Sequence, residues 1–269
     1  MKDKLNPVKQ HIRLLDKPIW TPSRKISDGK LYSDKNGFEM STTGNRGLPT
    51  VGDRLLLASL LRESQNREDA VLKYHSMYHL TKALDLPYGG DNIVILENSL
   101  AKWAYIRLHF TAPFYYDAKY KRKAFSIFAV FNSVRFSTDS GIRLEFNQHF
   151  LEINKDKYTR LLNVEKLRHI GTHISPFALR LYEILIINLH NRTDWAIGVE
   201  NFCYKMAIPY EPRNRSKFAE QLEQAVQELS KVESTFKMLI HVISKNKHGE
   251  PMIRFQLANL KELSSNFEL

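Results

Sequence analysis

The residues of this sequence best suited to chemistry are cations and amides at the starts of predicted helices. Four of them, Arg213, Asn214, Arg215 and Lys217, lie within the first two turns of a helix predicted over Arg213–Lys231. Arginine can form paired hydrogen bonds with guanine, and asparagine with adenine. Each cation at a helix start opposes the macrodipole by about 0.3–1 kcal/mol. Three cations there therefore indicate a use, and we expect contact with DNA; the alternative is a solvated helix start that contacts nothing.

A second predicted helix begins at Asp91, which is a good residue for capping its first N–H groups. The polar side of this helix carries Asn92, Asn98 and Lys102. A role in the DNA groove and simple exposure to solvent are both open for these three residues. The apolar stripe of the helix consists of Ile93, Leu96, Leu100, Trp103 and Ala104.

Two basic clusters stand between predicted strands. The first consists of Lys119, Lys121, Arg122 and Lys123, interleaved with Tyr115, Tyr116 and Tyr120. The second consists of Lys245 and Lys247. Basic hairpin tips reach phosphate or the minor groove, and phosphate contacts add affinity without sequence information. The alternative for both clusters is an exposed, solubilising turn.

Catalytic and metal-binding patterns are weak. The phosphate-binding pattern G-x-x-x-x-G-K-[ST] is missing, and no two histidines are separated by one residue, as the metal-holding pair of a rolling-circle nickase requires. His75 and His79 have the four-residue spacing of zinc ligands, but no third ligand is evident. Cys203 is the only cysteine, which excludes an intramolecular disulfide, and it is expected to pack in the core. We therefore expect a protein that is not an enzyme and has no metal and no cofactor.

The composition indicates a folded, basic protein. The chain has 269 residues, 43% of them hydrophobic, and a formal net charge of +11. Residues 1–140 contribute +8 and residues 141–269 contribute +3. Such an excess favours a polyanionic partner, nucleic acid before membrane. No apolar run approaches the roughly 18 residues of a membrane helix, no secretory signal is recognisable, and a cytoplasmic location is expected.

The elements that must position these residues occur in the same order twice. The first set follows an arm over residues 1–30, with an extended piece near Ile19–Thr21. It contains a hairpin around Asn36-Gly37, a helix from Pro49-Thr50, a strand at Ala70–His75, a helix at Met77–Leu84, the Asp91 helix, and strands at Ile106–Thr111, Ala124–Phe131 and Ile142–Phe146. The second set contains helices at Pro176–Leu189, Val199–Met206 and Arg213–Lys231, and strands at Trp195–Gly198, Phe236–Ser244 and Met252–Leu257.

Helix, helix, turn, helix and then a hairpin with a basic tip is the order of a winged-helix domain. The sequence therefore predicts an α+β fold with two tandem winged-helix domains, residues 31–146 and 173–262, and a tail at 263–269. The hairpin of the first domain is expected to be Ile106–Thr111 with Ala124–Phe131, so that the first basic cluster forms its tip. In the connecting segment, residues 147–172, we expect helical turns that bury Leu161, Leu162 and Leu167.

Short motifs along the chain resemble the replication initiator protein A family of bacterial plasmids. The resemblance begins at Gly47-Leu48-Pro49-Thr50, with Asp53 and a leucine-rich helix after it. It continues through Ala124–Phe128, Phe146-Asn147 with Phe150, and Ala178–Leu185, and covers about residues 40–260.

The resemblance implies an iteron-type initiator, which binds repeated origin sequences in double-stranded DNA through two winged-helix domains and has no catalytic residues. Monomers of such initiators open the origin and recruit the host helicase and DnaA, whereas dimers repress the initiator's own promoter. A transcriptional regulator on the same fold is the main alternative, because fold does not fix function. A DNA-nicking enzyme is disfavoured by the missing motifs.

The implied homodimer, in equilibrium with the monomer, has one candidate surface in the sequence. The hairpin Leu31–Thr43 carries Leu31, Phe38 and Met40, and an uncovered edge strand invites pairing with its copy. The alternative is that Phe38 and Met40 pack on the Val51–Leu61 helix of the same chain.

Overall fold

The chain divides into two compact units, each built of helices and antiparallel sheet. Unit 1 comprises residues 1–20 and 24–167, and unit 2 comprises residues 21–23 and 168–269. This computed structural model describes residues 7–22, 32–33, 38–43, 47–110, 126–137, 141–155, 158–209, 211, 213, 215–237 and 239–257. The mixed helix and sheet content confirms the predicted α+β class.

Unit 1 begins with a strand and short helix and ends with a helix that runs into unit 2. Its described elements are β1 (Val8–His11), α1 (Ile12–Asp16), β2 (Tyr32–Ser33), β3 (Phe38–Thr42), α2 (Val51–Arg67), β4 (Val71–Tyr74), α3 (Met77–Ala83), α4 (Gly90–Tyr105), β5 (Ile106–Phe110), β6 (Ser126–Ala129), β7 (Phe131–Ser137), β8 (Gly141–Phe146), α5 (Gln148–Ile153), β9 (Thr159–Leu162) and α6 (Val164–His173).

Three helices and a three-stranded sheet form the centre of unit 1. The sheet has the order β4-β8-β7, and α2, α3 and α4 each contact it. Leu72 and Leu144 pair across β4 and β8 and are fully buried, as are Leu100 and Trp103 of α4. Gly141 begins β8 at a φ of +73°, and a Cβ there would lie 2.2 Å from the Tyr74 carbonyl oxygen. Only glycine therefore lets β8 start against the end of β4.

A second sheet contains the predicted hairpin of the first domain. β5 and β6 do pair, but in a separate sheet of order β2-β3-β5-β6. The strand β4 pairs instead with β8, which forms a hairpin with β7. The predicted pairing of Ile106–Thr111 with Ala124–Phe131 is confirmed by the antiparallel pair β5–β6. This pair joins β3 rather than β4, which the sequence did not predict, because local strand patterns do not reveal which distant strand a hairpin joins.

The proposed dimer surface on β3 is also wrong for the residues that can be checked. Phe38 and Met40 are 1% and 0% exposed within a single chain. Phe38 packs on Phe110 of β5, with ring centroids 4.9 Å apart, rather than standing at an uncovered edge. Leu31, Asn36 and Gly37 lie outside the described residues.

The N-terminal segment and the segment after β8 meet in a two-stranded sheet. β1 pairs antiparallel with β9, and Gln65 of α2 bonds to both backbone groups of Lys9. The extended piece expected near Ile19–Thr21 is absent from those positions, and the strand lies at Val8–His11 instead. Alternation along β9 buries Leu162 but leaves Leu161 63% exposed, so the expected burial of Leu161 is wrong.

Unit 2 repeats the order helix, strand, helix, helix and hairpin. Its elements are α7 (Pro176–Asn188), β10 (Asp194–Gly198), α8 (Val199–Lys205), α9 (Arg215–Val232), a 3₁₀ turn (Ser234–Phe236), β11 (Leu239–Lys245) and β12 (Pro251–Leu257). The sheet order is β10-β12-β11, which matches β4-β8-β7 strand for strand. Both units therefore place the strand that follows a long helix, α2 or α7, against the second strand of the hairpin β7–β8 or β11–β12.

Candidate nucleic-acid interface

Helix α9 carries the cations that the sequence assigned to DNA contact, but it begins two residues later than predicted. Arg215 is its first residue, and Arg213 precedes the helix and is exposed. Lys217 is exposed in the first turn. Asn214 and the side chain of Arg215 lie outside the described residues. Arg213 and Lys217 thus both reach solvent around the helix start.

The opposite side of α9 is fixed by apolar packing and one charged contact. Leu222, Ala225 and Leu229 are buried, and the Glu228 carboxylate accepts a hydrogen bond of 2.7 Å from the Ser175 N–H at the start of α7. This contact and the buried stripe set the rotation of α9 about its axis. The charged first turn is therefore held in one orientation toward solvent.

The turn of the β11–β12 hairpin presents the second basic cluster. The Asn246 side-chain oxygen accepts hydrogen bonds from the N–H groups of His248 and Glu250, both at 2.9 Å. Gly249 adopts a φ of +78°, which closes the turn. Lys245 and Lys247 flank Asn246 and are both exposed. This turn holds two cations at the tip of the hairpin, where a phosphate can approach them.

Helix α4 presents amides and apolar side chains rather than cations. Asn92 and Asn98 are exposed, as predicted. Val94 and Ile95 are 56% and 65% exposed, and sequence reasoning assigned them no role. Apolar side chains can contact the thymine methyl group in the major groove. The sequence did contain one indication that they are exposed, because Val94 and Ile95 fall outside the apolar stripe of this helix.

Lys102 has a partner within the chain. Its Nζ lies 2.8 Å from Oδ2 of Asp53, and the ammonium-bearing side chain is 23% exposed. The same carboxylate oxygen accepts the Thr50 N–H at 2.7 Å, and the Trp103 indole N–H donates to the Asp53 carbonyl at 2.7 Å. This cluster ties α4 to the start of α2. Contact between Lys102 and DNA stays a prediction.

The first basic cluster, Lys119, Lys121, Arg122 and Lys123, lies outside the described residues, with Tyr115, Tyr116 and Tyr120. Its segment follows β5 and precedes β6 in the chain. The two strands on either side of it, β5 and β6, pair with each other in the four-stranded sheet. Its contact with phosphate stays a prediction.

The histidine pair and the cysteine are the residues that the sequence offered for metal or nucleophilic chemistry. The His75 and His79 rings are 5.6 Å apart, and within the described residues no three His, Cys, Asp or Glu side chains gather as metal ligands do. Cys203 is buried in α8, and burial raises the pKa of its thiol to about 12. Cys203 therefore packs in the core, as predicted. In the described part of the chain no helix is long and apolar enough to cross a membrane.

Two solved structures of RctB have a similar fold. A selenomethionine derivative of domains 2 and 3 of RctB superposes with a TM-score of 0.57 and 12% identity over 91% of this chain and 98% of that one. A second structure of RctB domains 2–3 superposes with a TM-score of 0.52 and 11% identity over 93% and 98%. No protein-family model and no curated protein sequence matches the chain. The likeness is one of fold across both units.

Proposed function

We propose that each unit is a winged-helix domain and that the chain binds double-stranded DNA sequence-specifically to initiate replication at repeated origin sites. The observation that supports this most is the matched strand order, β4-β8-β7 and β10-β12-β11. In unit 1 the helix α4, which has exposed polar side chains, precedes β5 and β6 and then the hairpin β7–β8. In unit 2 the helix α9, which also has exposed polar side chains, precedes the hairpin β11–β12. That is the position of a recognition helix, which enters the major groove.

The two proposed recognition helices differ in chemistry. Around the start of α9, Arg213 and Lys217 supply cations suited to guanine and phosphate. On α4, Asn92 suits adenine and Ile95 suits a thymine methyl group. The proposed site is therefore composite, with A·T-rich positions under α4 and a guanine under α9.

The role in replication rests on the resemblance of the sequence motifs to the plasmid initiator family, and the fold likeness to two consecutive domains of RctB is compatible with it. On this proposal the chain acts in the cytoplasm as a non-catalytic protein. Its monomer opens the origin with the host helicase and DnaA, and its dimer represses its own promoter.

Selection of bound sequences from a random duplex pool tests the DNA-binding proposal. We expect a defined site to be enriched, and a plasmid that carries direct repeats of this site to replicate only when the protein is supplied. Failure to enrich any site would contradict sequence-specific binding. Enrichment without replication would favour the transcriptional regulator, and strand cleavage of supercoiled plasmid with divalent metal would favour a nicking enzyme.

A further inference from the structure

A row of three cations crosses the central sheet of unit 1. Lys73 of β4 pairs with Arg143 of β8, and Arg143 pairs with Arg135 of β7. Directly paired residues of antiparallel strands project from the same face of a sheet. The three side chains therefore share one face, and we refer to them as the cation row.

The cation row lies on the face of the sheet that the helices leave free. The neighbouring positions Leu72, Leu144 and Ile142 project from the other face and are 0%, 0% and 4% exposed, where α2, α3 and α4 contact the sheet. By contrast Lys73 and Arg135 are exposed, and the Arg143 side chain is 42% exposed. The row is thus open to a large partner from the side opposite the proposed recognition helix α4.

Among the described residues, the cation row has little neutralising charge. The Glu145 carboxylate lies 3.5 Å from the Arg143 guanidinium and accepts a hydrogen bond of 3.5 Å from the Ser133 hydroxyl. Within the described residues, neither Lys73 nor Arg135 has an ion pair or side-chain hydrogen bond. Because like charges directly opposite each other destabilise a sheet, this arrangement works against folding.

The fold itself does not require three cations at this place. In unit 2 the equivalent central row of the matching sheet is Ala196, Arg254 and Val242, with a single cation. The same topology is thus built there with small and apolar side chains beside one arginine. The cation row is a property of unit 1 and calls for an explanation outside its stability.

We propose that the cation row binds a phosphodiester backbone of nucleic acid, independently of base sequence and separately from the proposed recognition helices. Neighbouring strands are about 4.8 Å apart, so the row spans about 10 Å. Each cation can neutralise one phosphate, so the row can make up to three phosphate contacts. This backbone belongs to duplex or to single-stranded nucleic acid, since both carry phosphodiester groups.

The experiment compares the full-length triple variant Lys73→Gln, Arg135→Gln and Arg143→Gln with wild type. Affinity is measured over a range of salt concentrations for a random-sequence duplex and for a random single strand. Three lost phosphate contacts reduce the slope of log affinity against log salt by about 2.7 for duplex or about 2.1 for single strand. A lower slope for only one of the two probes identifies whether the row binds duplex or single-stranded nucleic acid.

A matched control removes the same charge elsewhere, through Lys155→Gln, Arg192→Gln and Lys231→Gln, which are all exposed. We expect this control to keep the wild-type slope, and Glu145→Gln to bind both probes more tightly. We also expect the melting temperature of the triple variant to equal or exceed that of wild type, since repulsion is removed.

An unchanged slope in the folded triple variant, or an equal reduction in the control, would overturn the proposal. Loss of binding to vesicles containing phosphatidylserine, with both nucleic-acid slopes kept, would overturn it in favour of a membrane. The proposal does not depend on sequence-specific binding, because the probes have random sequence. If selection enriches no site but the triple variant has a lower salt slope than wild type, the proposed sequence-specific binding is contradicted and the proposed phosphate contact of the cation row stands.

Discussion

At the scale of single residues, burial decides what each polar group can do. Asp53 and Arg180 are 5% and 0% exposed, and both bond within the chain, Arg180 to Glu183 at 3.1 Å and to the Lys205 carbonyl at 2.9 Å. Such buried charges need partners and are unavailable to a ligand. Lys217 lies in the first turn of α9 and Lys247 in the turn of the β11–β12 hairpin. Both are exposed, so their charges remain available to phosphate.

Cys203 is predicted to be unreactive in the folded protein. Burial raises the pKa of its thiol to about 12, so the nucleophilic thiolate is scarce at neutral and mildly alkaline pH. We expect a thiol-reactive dye at pH 8 to label the native protein far more slowly than the protein in urea. Equal labelling rates in both conditions would show that α8 opens readily or that Cys203 is accessible.

The arginines around the start of α9 are predicted to read base edges. Replacing Arg213 or Arg215 with Ala should weaken binding to the selected site by about 1–3 kcal/mol if either arginine bonds a guanine. Thermal stability should hardly change for Arg213→Ala, because Arg213 is exposed and precedes the helix. Arg192→Ala, another exposed arginine of unit 2, serves as the control for lost charge. Wild-type affinity in both variants would place α9 outside the groove.

At the scale of elements, one ion pair joins α2 to the proposed recognition helix α4. Lys102 near the end of α4 bonds Asp53 in the first turn of α2, and Trp103 bonds the Asp53 backbone. The pair therefore sets where α4 lies relative to α2. Its loss affects both stability and the presentation of Asn92 and Ile95.

Lys102→Met is predicted to destabilise unit 1. The variant leaves the nearly buried Asp53 carboxylate without its cation, and a lost hydrogen bond to a charged group costs about 1.5–3 kcal/mol. The free energy of unfolding, measured by urea titration, should fall by that amount. Lys155→Met, which changes an exposed lysine, should cause little loss. Equal stability of both variants would mean that the pair of Lys102 with Asp53 adds no stability to unit 1.

His241 on β11 gives unit 2 a predicted sensitivity to acid. Burial lowers its pKa, and the Glu223 carboxylate, 3.6 Å from Nε2, offsets only part of that effect. The unfolded imidazole, with a pKa of about 6.5, therefore binds protons more readily than the folded one. Stability contributed by neutral His241 is lost as the pH falls through and below that value.

The measurement compares urea unfolding at pH 7.5 and pH 5.5 for wild type, His241→Gln and His248→Gln. We expect His241→Gln to lose less stability on acidification than wild type, since it has no imidazole to protonate. His248→Gln changes an exposed histidine of the same hairpin and should behave as wild type. A larger acid loss in His241→Gln would reverse the sign of the argument.

The same scale shows what the sequence could reveal. Apolar periodicity and caps predicted α2, α3, α4, α7, α8 and α9 to within a few residues, because these signals are local. The pairing of β4 with β8 joins residues about seventy positions apart, and no local pattern encodes it. The sequence therefore predicted the pair β5–β6 but not the second hairpin, β7–β8, that joins β4. The cation row could not be predicted for the same reason, since its three residues are brought together only by strand pairing.

At the scale of the whole molecule, the formal charge of +11 is unevenly divided, with +8 in residues 1–140. The proposed recognition helix α4, which has no cation in its first turns, lies in that more basic half. Phosphate attraction in unit 1 therefore has to come from elsewhere, and the cation row and the Lys119–Lys123 segment are its candidates. In unit 2 the helix start and the hairpin tip supply the cations themselves.

The two units are predicted to read separate parts of one DNA site. In the double variant Asn92→Ala and Ile95→Ala, α4 loses an adenine and a thymine contact. In Arg213→Ala and Lys217→Ala, α9 loses a guanine and a phosphate contact. Each changed base-pair preference is worth about 1–3 kcal/mol. Repeating the selection from the random pool with each variant should erase sequence preference at one set of positions and leave the other set intact.

The combined variant should then retain only salt-sensitive binding without sequence preference, since the cation row is unchanged in it. We expect the losses of binding free energy in the two double variants to add, because α4 and α9 belong to different compact units. If both double variants erased preference at the same positions, the two helices would not read separate parts of the site. If the α4 variant selected the wild-type sequence, unit 1 would contribute phosphate contacts alone, and sequence recognition would belong to α9.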